Sequence, residues 1–219
     1  MINFPNIQDL VSQETQWHVY PITDDLESMA VQEQANLRRE NFGNKTRFYT
    51  NNNDIIGVLA REGVRKWCES QRMPFSISDY VPMQRGDTGD ATIDGVLFDI
   101  KGIEHTKDLI PRLPFVRAKV WENQFEKLQA EDCAIDGFIF AVVARHMLDR
   151  ETGTPAPSIF VLGWCPRNYF FNSALLLPKG YRIKDYITKA GRAEVEAHRL
   201  FPMGNLNGQN FQHIKENYE

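Results

Sequence analysis

Apolar and polar positions along the chain change period several times, and each change marks an element. Asp24 to Asn41 reads as a helix, with acids early and Arg38 and Arg39 late, in the sense that suits the helix dipole. A polar stretch, NFGNKTRFYTNNN, follows. From Asp54 to about Ser70, Ile56, Leu59, Ala60, Gly63 and Trp67 recur at three- and four-residue spacing, which predicts a second helix capped by Asn53 or Asp54. Pro74 ends it, and FSISDYV, rich in β-branched and aromatic residues, predicts a strand. After the Gly-rich turn QRGDTGD comes a hairpin, then a loop over 103–115 and an amphipathic helix over 116–130 carrying Val120, Phe125 and Leu128. The apolar run in DGFIFAVVARH, Phe138 within it, predicts a strand buried on both faces, with SIFVLGW at 158–164 as its neighbour.

The hairpin makes the sharpest prediction. An Asp94-Gly95 pair flanked by strand formers is a strong hairpin signal, taken with a two-residue turn. Ile93 then pairs with Val96, Thr92 with Leu97, Ala91 with Phe98 and Asp90 with Asp99. Because side chains alternate between faces, Ala91, Ile93, Val96, Phe98 and Ile100 make one apolar face. Asp90, Thr92, Leu97, Asp99 and Lys101 make the other. Directly opposed residues have Cβ atoms about 4.5–5.5 Å apart, so two carboxylates would nearly touch there. A divalent cation relieves that repulsion, and Lys101 neutralises the remainder. Asp87 in the preceding loop competes with Asp90 as the first acid, whereas Asp94 is the turn residue. His105 and His146 stay outside this group.

An acid, a short hairpin and then Asp99-Ile100-Lys101 resemble the PD-(D/E)xK nuclease superfamily, with its restriction-endonuclease-like fold. The family's proline before the first acid is replaced by Gly89. The resemblance covers about residues 54–165 and implies an α/β fold, a mixed central sheet flanked by helices. It also implies a Mg²⁺ site, with Mn²⁺ as a substitute, formed by Asp90, Asp99, Ile100 and Glu62. In this reading Asp90, Asp99, Lys101 and Glu62 are the catalytic set. Arg112, Arg117, Lys119 and Gln124, in the loop and helix after the motif, stand where the family meets DNA. The implied activity is endonucleolytic hydrolysis of DNA, by a homodimer where both strands are cut. For Glu62 the structural alternative is a helical carboxylate paired with Arg65 or Lys66.

Composition narrows this further. The 219 residues, 42% hydrophobic and 25% charged, describe one globular domain, with a helical extension over 1–50, a core over 54–165 and an addition over 166–219. A net charge of −4 argues against coating nucleic acid by bulk electrostatics, so any DNA contact is local or cation-assisted. No apolar run approaches the ~20 residues of a membrane span and the start lacks signal-peptide order, which predicts a cytoplasmic protein. Cys68, Cys133 and Cys165 form no CxxC pair and read as reduced packing residues. From Trp164 to about Leu206 aromatic and basic residues mix, Lys179, Arg182 and Lys184 among them. That stretch reads first as a subdomain packed on the sheet edge. Two other functions fit the same residues: a non-catalytic DNA-binding or assembly protein on this fold, and an exonuclease or other metal-dependent phosphoesterase.

Overall fold

The computed structural model describes residues 17–41, 51–77, 89–113, 116–130, 133–183, 186–188 and 190–217. Asp87 and Lys184 lie outside them. The chain forms β1 (His18–Pro21), α1 (Asp24–Asn41), α2 (Asn51–Gln71), β2 (Phe75–Ile77), β3 (Ala91–Ile93), β4 (Val96–Glu104) and β5 (Arg117–Trp121). A 3₁₀ turn (Glu122–Gln124) leads into α3 (Phe125–Leu128), β6 (Gly137–Ala144), β7 (Ser158–Pro166) and α4 (Arg167–Ser173). Last come β8 (Leu175–Leu177), β9 (Arg182–Ile183), β10 (Tyr186–Ile187), β11 (Arg192–Glu196) and α5 (Gly208–Glu216).

The molecule is mixed α/β. A six-stranded mixed sheet runs in the order β1-β7-β6-β4-β3-β2. β4 and β6 are parallel, and the other pairs are antiparallel. Leu26 and Ala30 of α1, with Ile56, Leu59 and Val64 of α2, pack on one face against Ile93, Phe98, Ile100, Ile139 and Val161. Phe211 of α5 closes the same face. Close approach of α2 needs Gly102 in β4, where a Cβ would lie 2.8 Å from the Ile56 backbone oxygen. The other face carries Phe138, Phe140 and Val142, covered by Leu128, Phe170 and a three-stranded sheet ordered β5-β11-β8. Every residue of β6 is buried, as its continuous apolar run predicts.

Four expectations change. Residues 116–130 are not one helix. Arg117–Trp121 is a strand paired antiparallel with β11, and helical turns begin only at Glu122. Ala118 and Val120 are buried while Arg117, Lys119 and Trp121 face away, a period of two that the longer amphipathic pattern obscured. The loop expected from 103 starts later, because β4 continues through Glu104 beside β6. Helix α2 starts at Asn51, so Asn53 and Asp54 lie inside it rather than capping it. The N-terminal region is also more than a helical extension, since β1 completes the sheet by pairing with β7.

Candidate metal and phosphate site

The hairpin turn forms at Asp94 and Gly95, whose φ angles of 48° and 81° are those of a type I′ turn. Its register pairs Ile93 with Val96, Thr92 with Leu97 and Ala91 with Phe98. Ile93, Phe98 and Ile100 are buried against α2 and α5. Asp99 and Lys101 therefore face the opposite side, level with Phe138 and Phe140 of β6.

The ladder stops one pair short of the two acids. The Asp90 N–H donates to the Phe98 carbonyl at 2.8 Å, the carbonyl level with Ala91, so the chain bends there instead of placing Asp90 opposite Asp99. The Asp90 carboxylate then reaches across, and its Oδ2 accepts the Ile100 N–H at 2.7 Å. A side chain thus replaces the missing strand where β3 leaves β4. Gly89 makes the bend, with φ of +73° and the Leu97 side chain so close that a Cβ would meet it at 2.8 Å. Proline, fixed near φ of about −65°, cannot take this conformation. The glycine at position 89, where the resemblance would have a proline, therefore has a local structural reason.

Asp99 is 3% exposed, and its Oδ2 stands 2.5 Å from Lys101 Nζ, an ion pair without the alignment of a hydrogen bond. Burial pushes the Asp99 carboxyl up to about 6; the Lys101 charge opposes that rise, and the neighbouring Asp90 carboxylate adds to it. Lys101 Nζ also donates to Gln124 Oε1 at 3.2 Å, so the turn after β5 orients the amine. Asp90, Asp99, Lys101 and Gln124 come together in this way.

The remaining sequence-derived residues lie elsewhere or have partners. Glu62 is buried in α2, and its Oε2 accepts from Arg65 Nε at 2.7 Å. Among the described residues no three His, Cys, Asp or Glu side chains group as a metal site. Arg117 donates to the buried Glu194 at 2.9 Å. Arg112 is exposed, and Lys119 shares the outward face of β5 with Arg117. His105 Nε2 meets the Leu109 carbonyl at 2.9 Å, away from the acids. Cys68 and Cys165 are free and buried, and burial pushes the Cys68 thiol up to about 12, as suits packing residues. No described helix is long and apolar enough to cross a membrane. Sequence reasoning did not single out Trp121, whose signal was the alternation in VRAKVW.

The donor set fits a hard divalent cation. Mg²⁺ ordinarily takes one or two carboxylates and completes its shell with water and phosphate oxygens. Asp90 and Asp99 supply two such groups, and Ile100 could add only its backbone carbonyl. Their mutual repulsion and the desolvation of Asp99 are costs that a cation would offset. A pocket of about 360 Å³ lies elsewhere, lined by Arg117, Leu175, Glu194 and Arg199 among others. In comparisons with known proteins the chain matches no family model, no curated protein and no solved structure.

Proposed function

We propose that this chain is a magnesium-dependent DNA endonuclease of the PD-(D/E)xK type. The observation that carries the reading is the meeting of a buried carboxyl, a second carboxyl and an ammonium where β3 leaves β4. Groups with such perturbed ionisation, held together by opposing charges, concentrate at catalytic sites. The order α2, a β2-β3-β4 meander, a crossover and then β6 fits a restriction-endonuclease-like core.

Asp90 and Asp99 would hold the cation, which when bound supplies Lewis-acid stabilisation of the phosphoryl oxygens and a more acidic water. The chain's own groups do the rest. Asp90, through the Ile100 N–H, ties itself to the middle of β4, one residue beyond Asp99. Lys101, oriented by Gln124, places its ammonium to donate to a phosphate oxygen and offset charge developing there. Hydrolysis consumes one water, forms one P–O bond and breaks another, leaving a phosphate monoester and a hydroxyl. Wild type is expected to cut supercoiled and linear DNA with Mg²⁺ and not with EDTA, while Lys101→Ala loses at least about a hundredfold in rate, the scale of one electrostatic donor.

One observation favours a second reading, a non-catalytic DNA-binding or assembly protein on the same fold. All three groups already have partners inside the chain: Ile100 for Asp90, Lys101 for Asp99, and Gln124 for Lys101. Wild type and Lys101→Ala that leave DNA uncut while binding it equally would establish that alternative.

A further inference from the structure

Trp121 ends β5 and is 44% exposed, unusual for the largest apolar side chain. It is not a loose surface residue. Directly across the β5-β11 ladder stands Arg192, whose guanidinium carbon lies 5.9 Å from the indole centroid. Arg192 is buried, with its Nε 2.5 Å from Glu194 Oε1, and Glu194 Oε2 accepts from Arg117 at 2.9 Å. The indole thus rests on a cation that a buried carboxylate holds still. Exposed aromatic area that is already immobilised loses little entropy on binding a flat partner.

The position matters as much as the rigidity. Gln124, which touches Lys101, follows Trp121 by three residues, and successive Cα atoms are about 3.8 Å apart, so the two Cα atoms lie within about 11 Å. Along β5 the same face carries Arg117 and Lys119, opposite Glu196 and Glu194 on β11. These acids temper the basic charge of the row. Contact through a π-face therefore suits this surface better than charge alone. Interleaved aromatic and basic side chains are how proteins track unpaired strands, because every base offers a π-face.

We propose that Trp121 is a stacking platform for an unpaired nucleobase, so that the substrate of the acid-pair site is DNA with a single-stranded or splayed-out segment. This rests on the nuclease reading for the chemistry, although the platform itself is read by binding. The probes are a 20-nucleotide single strand and a blunt duplex of equal length, with Ca²⁺ in the buffer and Lys101→Ala as the background chain. The single strand should quench tryptophan emission and bind more tightly than the duplex. Trp121→Ala should weaken single-strand binding by about tenfold or more, leave duplex binding within about twofold, and Trp121→Phe should recover most of the loss. Unchanged thermal melting of Trp121→Ala confirms that the fold is intact. Equal single-strand affinity with and without Trp121, or no detectable single-strand binding, overturns the platform. Single-strand binding through Trp121 by a wild-type chain that cuts nothing with Mg²⁺ supports the platform and defeats the nuclease alone. Wild-type cleavage that Trp121→Ala retains in full on single-stranded and frayed DNA defeats the platform alone.

Discussion

Asp99 is the residue whose ionisation the fold resists. Its carboxyl is raised to about 6 from the ordinary 3.8, first by desolvation and then, against the pull of Lys101, by Asp90. Between those values the folded protein holds a proton that the unfolded chain has released. The stability from this group is therefore full below about pH 4 and lost as pH rises through about 6. Two pKa units correspond to roughly 3 kcal/mol. From pH 4 to pH 7.5 the wild type is expected to lose on the order of 2–3 kcal/mol relative to Asp99→Asn, whose side chain does not titrate. Urea unfolding of both proteins across that range checks this, and parallel curves would refute the burial argument.

Among the elements, α5 clamps the hairpin from behind. Phe211 meets Phe98, the residue before Asp99, edge to face at 5.4 Å, and it also lies tilted against Trp164 at 5.5 Å. The Gly208 N–H at the start of α5 donates to Asp94 in the turn at 2.8 Å. Near its end Lys215 pairs with Asp136, whose other oxygen accepts the Leu97 N–H. Phe211→Ala should cost about 3–5 kcal/mol by opening this contact, whereas Ile187→Ala, at 56% exposure, should change unfolding by less than about 0.5 kcal/mol. A similar small effect for both would mean that α5 is a loose appendage. None of this clamp was legible in the sequence, because a contact between residues 98 and 211 leaves no local pattern. The hairpin register was legible, since Asp94-Gly95 dictates its own turn and alternation dictates the faces. The bend at Asp90 was not. It depends on Gly89 taking a positive φ and on a side chain completing the ladder, and neither alters the apolar pattern. The helix expected over 116–130 gives way for a related reason: Phe125 and Leu128 stand at helical spacing, while the tertiary partner β11 selects the strand over Arg117–Trp121.

At the scale of the whole molecule, charge decides how DNA could be held. The net charge of −4 opposes a polyanion, and the acid pair would add to that repulsion without a cation. Of the four residues that the resemblance would set against DNA, Gln124 is uncharged and engaged with Lys101, and Arg117 is paired with Glu194. If Arg112, Lys119 and Lys101 are the cations that meet phosphate, three contacts form. Each phosphate neutralised contributes about −0.9 to the slope of log K against log salt on duplex DNA, so three contacts give a slope near −3. Fluorescence anisotropy with Lys101→Ala, which lacks one of the three, should show about −2 between 50 and 200 mM salt. The affinity of either protein should also fall when Ca²⁺ is replaced by EDTA, because the acid pair then faces phosphate unscreened. A slope of −6 or steeper, indifferent to the divalent cation, would reveal a broad basic surface and contradict a small site that recruits its positive charge from solution.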